Sequence, residues 1–406
     1  MAKPQRTVPN RVIVVGGGPV GLTAALALAD AGVAVTVMDP DQEAMTDRRT
    51  AALMAASVVM LERLGVWRAC RDAAAPLRRL RLIDDTGRLI RAPTVEFDAA
   101  EIGEAAFGWN VPHQALLPAM RAACTASPLI ERLTGTVERI LTEEDRVTVR
   151  LDSGREIAAR LLVGADGRAS LARRVAGIRV DEWRYDQAAL VANLRHGKPH
   201  EETSTEFHRT AGPFTLVPLP GQGSSLVWVE SRAVAEALAS FRPADLAREI
   251  ERLSRRLLGS VEVDGPVAVF PLSGLTARRF AARRIALVGE AAHVIPPIGA
   301  QGLNLGLRDA AALADIVGEA TRLGADPGGA AVTSGYDRSR YPDVASRTGA
   351  VDLLNRSLVS SLLPIQLARA TGLAALSAIA PLRRAFMREG VAPRLALPGL
   401  MRREAG

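Results

Sequence analysis

The sequence predicts an α/β protein: a parallel sheet flanked by helices, a separate antiparallel sheet, and a helical C-terminus. Three stretches predict it. An apolar strand, Arg11 to Val15, runs into Gly16-Gly17-Gly18-Pro19-Val20-Gly21 and an Ala-rich helix. A second strand, Leu161 to Val163, runs into Gly164-Ala165-Asp166-Gly167-Arg168-Ala169-Ser170 and another helix. A third, Ile285 to Val288, ends at Gly289-Glu290 and continues through Pro296-Pro297-Ile298-Gly299-Ala300-Gln301-Gly302-Leu303-Asn304 into an amphipathic helix. In each, a strand brings backbone to a glycine-containing turn, and the start of the helix offers unpaired N–H groups to negative charge.

Composition narrows the function. The 406 residues are enough for two or three domains with cores of their own. The net charge is +7, but Lys3 and Lys198 are the only lysines, so Arg carries nearly all of the positive charge in an Ala-rich chain. No basic run is interleaved with aromatic residues, which argues against nucleic acid. A basic surface suits anionic cofactors or an acidic membrane face. Cys70 and Cys124 lack CxxC spacing, and His113, His196, His200, His208 and His293 lack ligand spacing, so no metal site is expected. Reduced thiols fit a cytoplasmic protein. No signal peptide is expected, because the apolar run at Val12 to Val15 is short and glycines break it.

Residues 1–10 are polar and expected to be disordered. Gly16-x-Gly18-x-x-Gly21 lies between a strand and a helix, and the next strand, Val33 to Met38, ends at Asp39. That is the Rossmann-type dinucleotide fingerprint in its required context. Gly16 makes the turn, Gly18 admits the pyrophosphate, Gly21 packs helix on strand, and Asp39 bonds a ribose hydroxyl. Arg48 and Arg49 follow in a loop that faces either the cofactor or solvent. Leu53 to Leu64 reads as a helix, and Leu80 to Ile90 as a strand pair turning at Asp84-Asp85-Thr86-Gly87. Trp109 to Ala123 reads as a helix entered through Val111-Pro112-His113-Gln114.

Val137 to Leu141 and Val147 to Leu151 form a hairpin, continued by Ile157 to Val163. Asp166 is placed to accept backbone N–H bonds and fix its loop, with a plain Asp-Gly turn as the alternative. From 183 to 274 alternating strands dominate: Ala188 to Leu194, Thr203 to His208, Phe214 to Val217, Ser225 to Glu230 and Val267 to Phe270, interrupted by a helix pair from Ala233 to Leu258. One face of that sheet could roof a pocket, and Phe214, Leu216 and Pro218 are candidates for its wall or for core. Tyr336 to Arg356 reads as a helix interrupted near Pro342. Leu358 to Pro381 is apolar, but Pro364 and Arg369 inside it argue against a spanning helix. It reads as a packed helix pair or as an interfacial segment backed by Arg383, Arg384, Arg388 and Arg394.

In this order and spacing, the three glycine stretches resemble the flavoprotein aromatic hydroxylases (class A, para-hydroxybenzoate hydroxylase-like). The narrower resemblance is to the ubiquinone-biosynthesis hydroxylases. It rests on Arg49-Thr50-Ala51-Ala52-Leu53 with Leu64-Gly65-Val66-Trp67, on Gly212-Pro213-Phe214 with Leu216-Val217-Pro218-Leu219, and on Gly299-Ala300-Gln301-Gly302-Leu303-Asn304-Leu305-Gly306-Leu307-Arg308-Asp309. The resemblance implies a Rossmann-type FAD-binding domain from residues 1–80, 108–182 and 275–345. It implies an antiparallel-sheet substrate domain from 81–107 and 183–274, and a C-terminal helical segment from 346–406.

It also implies function. FAD would react with O2 after reduction by NAD(P)H or a protein reductant, and a flavin C4a-hydroperoxide would hydroxylate the ring of a polyprenylated phenol. A soluble aromatic substrate and a non-catalytic flavin-binding subunit of a quinone-biosynthesis complex are the alternatives. Peripheral membrane association on the inner face, a homodimer and membership of such a complex are compatible partners. Carried over residue by residue, Gly16, Gly18, Gly21 and Asp39 hold the adenosine diphosphate half, and Arg49 lies near the FAD. Asp166 belongs to the family's Asp-Gly motif. Glu290 stands where the family usually has Asp on the ribityl chain. His113, with Gln114 as the competing register, takes a polar flavin contact. Gly302, Leu303 and Asn304 point a helix start at the flavin. Pro296, Gly299 and Gln301 form the loop against the isoalloxazine and are the candidate catalytic residues.

Overall fold

The computed structural model describes residues 11–40, 48–88, 91–297, 299–359, 362–391 and 397–403; the first ten residues, Ile90, Ile298 and Arg394, named above, lie outside them. The chain opens with β1 (Arg11–Val15), α1 (Pro19–Asp30) and β2 (Ala34–Asp39). Pro19 sits in the first turn of α1, where its missing N–H costs nothing. β3 (Thr50–Met54), α2 (Ala55–Arg63), α3 (Trp67–Cys70), β4 (Ala75–Leu77), β5 (Arg79–Asp84), β6 (Val95–Asp98), β7 (Gly108–Pro112) and α4 (His113–Ala126) follow. Leu53 and Trp109 therefore lie on strands rather than helices. They face each other across the β3–β7 pair, which brings two stretches more than fifty residues apart into register.

The next elements are β8 (Ile130–Thr134), β9 (Val137–Thr142), β10 (Val147–Leu151), β11 (Glu156–Ala159), β12 (Leu161–Gly164) and α5 (Leu171–Val175). The expected single run from Ile157 to Val163 is two strands. β11 completes an antiparallel three-strand sheet, while β12 enters the parallel one. Then come β13 (Val180–His196), β14 (Thr203–His208), β15 (Pro213–Leu219), β16 (Gly223–Ser231), α6 (Arg232–Ala239), α7 (Pro243–Leu253), β17 (Val261–Val263) and β18 (Ala268–Ala277). The chain closes with β19 (Ala281–Ala282), β20 (Ile285–Leu287), β21 (His293–Val294), α8 (Gln301–Arg322), α9 (Ala330–Val359), α10 (Leu363–Ala378) and α11 (Ala380–Val391).

The central sheet has the order β19-β20-β12-β1-β2-β8 and is parallel except for β19. Its strands β1, β12 and β20 are buried on both faces, as their unbroken apolar runs require, while the edge strand β8 is partly exposed. The large sheet runs β21-β18-β13-β16-β15-β14-β5-β6. In it β5 pairs antiparallel with β6 and parallel with β14, so the hairpin expected within 80–90 is absent. The reason is Asp84. Its buried carboxylate accepts from Thr86 N, Thr86 Oγ1 and Ala92 N and pairs with Arg369 of α10, which holds a wide loop instead of a tight turn.

Phe207, Phe214, Leu216, Leu226 and Trp228 form one core with α6 and α7 on the outer face of this sheet. α9 runs unbroken through Pro342, against expectation. Buried ion pairs to Asp309 and Asp343 clamp both sides of the proline and offset the hydrogen bond it cannot make.

Candidate functional site

Two long helices begin side by side at the carboxyl ends of the central strands. Gly16 has φ +113°, and a Cβ there would lie 2.3 Å from Ala165 O. A Cβ on Gly21 would lie 1.9 Å from Gly16 O. At Gly18 it would meet nothing within 4 Å. Gly16 and Gly21 are thus fixed by packing, whereas Gly18 leaves open space at the start of α1. Val20, in the first turn of α1, rests in the notch left by Gly289 and Gly306, where an added Cβ would come within 3.1 and 2.7 Å of its methyls. Neither α1 nor α8 has a capping side chain or an acid in its first turn. Their free N–H groups suit the pyrophosphate and electron-rich ring edge of a dinucleotide. This open cradle is what such a cofactor requires, so the residues present fit it. Asp39 ends β2 with its carboxylate over Gly17, 2.0 Å from where a Cβ would stand.

The Asp166 loop is fixed as its chemistry suggests. Asp166 accepts from Ser170 Oγ (2.6 Å) and Ala172 N (3.0 Å), and Ser170 caps α5 through Arg173 N. Arg173 is buried and donates to Ala291 O and Arg168 O, which ties this loop to the third glycine stretch.

In that third stretch Glu290 is exposed and takes no protein partner among the described residues. Pro296 is buried, and Gly299 and Gly302 are exposed. Ala300 has φ 54°, a left-handed conformation costing an L-residue about 1–2 kcal/mol, directly beside the start of α8. Gln301 is braced: it donates to Gly299 O (3.0 Å) and accepts from Arg347 Nη1 (3.3 Å). Asn304 is a clamp. Its Oδ1 accepts from Met54 N and Ser57 Oγ, and its Nδ2 donates to Ala52 O and Ala300 O, all within 2.8 Å. Its side chain has no capacity left for a ligand, so any cofactor contact comes through its backbone.

A buried charge chain anchors this loop from behind. Asp309 is 0% exposed and accepts from Gly289 N (3.0 Å), His293 Nε2 (2.6 Å) and Arg340 Nε (2.8 Å). Arg340 continues to Asp343, which also pairs with Arg308 and Arg347. Burial pushes the Asp309 carboxyl up, but His293 and Arg340 outweigh it and hold it below the usual carboxylate range. Sequence reasoning missed this chain, although the acid at 309 and the Arg340–Asp343 spacing were visible in one stretch and one helix.

The other expected contacts divide. Arg48 is turned away: its backbone and side chain engage Asn193 and Asp264. Arg49 is exposed, and its carbonyl accepts the N–H of half-buried His113, so these two candidates are neighbours. Phe214 and Leu216 are core beneath α6 and α7, and Pro218 shares their face by alternation. They are therefore not walls of a pocket on the cofactor side. Both faces of β15 are partly apolar, so hydropathy alone could not choose the face. The inner face carries instead a separate apolar patch of Ala189, Val229 and Leu272, with Tyr185, Val191 and Val227 against it. Among the described residues no cluster of His, Cys, Asp or Glu could hold a metal ion.

Comparison with known proteins places this geometry. The model of the family described as an FAD binding domain matches residues 10–342. The chain is 35% identical over 386 residues to the ubiquinone hydroxylase UbiL of Rhodospirillum rubrum, covering 94% of this chain and 89% of that protein. It is 34% identical over 388 residues to the 3-demethoxyubiquinol 3-hydroxylase of Escherichia coli, covering 93% and 97%. Among solved structures, p-nitrophenol 4-monooxygenase from Pseudomonas putida superposes with a TM-score of 0.77 over 95% of this chain and 98% of its own, at 21% identity; that likeness is one of fold.

Two outcomes follow from the geometry. Gly21→Ala forces a methyl into Gly16 O and should lower the FAD retained on purification at least about tenfold, read from flavin absorbance. Asp309→Ala removes the acceptor of His293 Nε2 and of Arg340 Nε, leaving Arg340 only its pair with Asp343, and should cost about 3–5 kcal/mol in urea unfolding. Because the Asp309 pKa is depressed, its contribution is complete above the ordinary Asp value and disappears as pH falls through the lower folded value. The wild-type advantage over Asp309→Ala should therefore shrink only in that acid range.

Proposed function

We propose, for a chain that belongs to the FAD binding domain family and is an FAD-dependent aromatic-ring monooxygenase, that its substrate is a polyprenylated phenol of ubiquinone biosynthesis. The observation that carries this reading is near-full-length identity of 35% and 34% to two proteins named as ubiquinone-pathway hydroxylases. The fit of the cradle supports the cofactor half. Gly16, Gly18, Gly21 and the start of α1 would take the pyrophosphate, and Asp39 the adenosine ribose. Glu290, the one acid in the third stretch without a protein partner among the described residues, would take the ribityl chain. The N–H groups of Gly302 and Leu303 would face the flavin, with Arg49 and His113 at its edge and Asp166 holding the adjoining loop.

Bound FAD, reduced by a nicotinamide or protein donor, supplies the activation of O2 and the transfer of one oxygen atom to the ring. The chain's own residues orient and enclose. Pro296, Gly299 and Gln301 would present a braced loop to the ring system, and the uncapped start of α8 would stabilise negative charge there. The inner apolar patch of Ala189, Val191, Val227, Val229 and Leu272 would roof the substrate and exclude water.

The apolar tail of such a substrate needs an exit toward lipid. No helix among the described residues is long and apolar enough to cross a membrane. α10, α11 and the residue joining them instead expose Leu367, Ile379, Leu382 and Phe386 beside the exposed Arg384 and Arg388. Their inner sides carry Leu373, Leu376 and Met387, packed on Val95, Phe97 and Phe107. We read this hairpin as a peripheral docking surface on the inner, anionic membrane face of a cytoplasmic protein.

Expression in quinone-deficient cells, each lacking one ring-hydroxylation step, should restore quinone in one strain, read by mass spectrometry of the intermediates. No rescue in any strain by FAD-loaded protein would point to a soluble aromatic substrate. Leu382→Glu with Phe386→Glu should leave FAD content unchanged and reduce co-sedimentation with phosphatidylglycerol vesicles roughly tenfold or more. Equal sedimentation would remove the docking role. Point substitutions suit this test better than deletion of the hairpin, which would uncover Val95, Phe97 and Phe107.

A further inference from the structure

The outer face of the large sheet takes Phe207 from β14 and Phe214 and Leu216 from β15. By alternation, Glu206, His208 and Thr215 lie on the inner face. The three are bonded together. His208 Nε2 lies 2.8 Å from Glu206 Oε1, and Thr215 Oγ1 donates to Glu206 Oε2 at 3.2 Å. The side chain of His208 is 3% exposed and that of Glu206 14%. Taking a carboxylate out of water costs several kcal/mol before pairing, and β-branched residues would serve these strands better. Packing does not account for the pair.

Its position does. On β15, Val217 lies two residues beyond Thr215 on the same face and is the register partner of Ser225. Ser225 bonds Thr50 and Asn110, which sit on the two strands leading from Arg49 and into His113. Next to Thr215 across the sheet is Val227, part of the inner apolar patch. β21, at the far edge, leads directly into the Pro296 loop. The pair thus shares the face that the candidate cofactor residues and that loop look onto. Other charges flank His208. Asp84 is its register partner on β5, Arg369 of α10 pairs with Asp84, and Arg88 lies close to Arg369.

We infer that Glu206 accepts the hydroxyl proton of the aromatic substrate and that His208 positions its carboxylate. The inference rests on the phenol substrate proposed above. The substrate O–H bond breaks and the proton forms a carboxyl O–H on Glu206. The electron pair stays on the phenolate oxygen and enriches the ring for attack by an electrophilic oxygen. Thr215 and His208 hold the two carboxylate oxygens, so the acceptor is fixed before the substrate arrives. The assignment supplies the base that no sequence motif reveals.

The test uses FAD-loaded full-length protein and 2-prenylphenol carrying a single five-carbon prenyl group. The phenolate absorbance band is followed against pH, and hydroxylated product is measured separately. With wild type, the Glu206 carboxylate beside the hydroxyl should make the bound phenol ionise about one pH unit or more above the free phenol, its proton leaving to Glu206 only as the ring is attacked. Glu206→Gln should abolish that shift and lower the hydroxylation rate roughly 100-fold, with FAD content and melting temperature unchanged. Glu206→Asp, which keeps the charge, should recover part of the shift, and His208→Gln should weaken it. Glu206→Gln that leaves the wild-type shift in place and turns over within about twofold of wild type overturns the assignment. So does an equal loss in the Asp and Gln variants, which marks a structural role. Wild type that holds FAD but binds no phenol overturns the substrate reading itself.

Discussion

The structure depends on one carboxylate. Asp309 is fully enclosed and takes its donors from a turn, a short strand and a distant helix: Gly289, His293 and Arg340. Burying such a charge is costly, and only partners placed in advance make it tolerable. The chain answers with a relay of alternating sign, Asp309, Arg340, Asp343, and then Arg308 and Arg347. Its far end reaches Gln301 through Arg347. The relay therefore grips the glycine loop at its start and at its finish. Between those grips lie the exposed Glu290 and the left-handed Ala300, which open backbone geometry alone would not hold in place.

The glycine spacing carries information because each position has a different physical duty. Gly16 and Gly21 are forced by backbone contacts shorter than any side chain permits, whereas a Cβ at Gly18 would meet no protein atom within 4 Å and its absence keeps the space before α1 open for a ligand. A pattern whose members fail for separate reasons is hard to meet by chance, which is why the parallel sheet and its cradle could be read from residues alone. Asp166 was only half legible: an acid after a strand and before a helix suits either a plain Asp-Gly turn or an acceptor of backbone N–H, and the structure shows the second, with bonds from Ser170 Oγ and Ala172 N.

What was not legible depended on distant partners. The face of β15 was decided by α6 and α7, so Phe214 and Leu216 turned to core. Asp84 looked like a turn residue and became a loop anchor because Arg369, far along the chain, meets it. Asn304 looked like a ligand contact, yet its four bonds all go to protein. Pro342 looked like a break, and buried ion pairs on either side kept the helix whole. In each case local propensity was sound and a tertiary contact outweighed it.

That unbroken helix has its own consequence. α9 is 30 residues long, a rod of about 45 Å. Near its start Tyr336 bonds Leu287 O at the end of β20, and Arg340 and Asp343 join the relay. Two turns further on, Asp352 and Asn355 bond Tyr185 and Gln187 of β13. The rod then leads into α10 and α11. The apolar hairpin is thus not an appendage that can fray while the nucleotide cradle stands. Both are fastened to the same axle, and loss of order at one end is felt at the other as a single cooperative event.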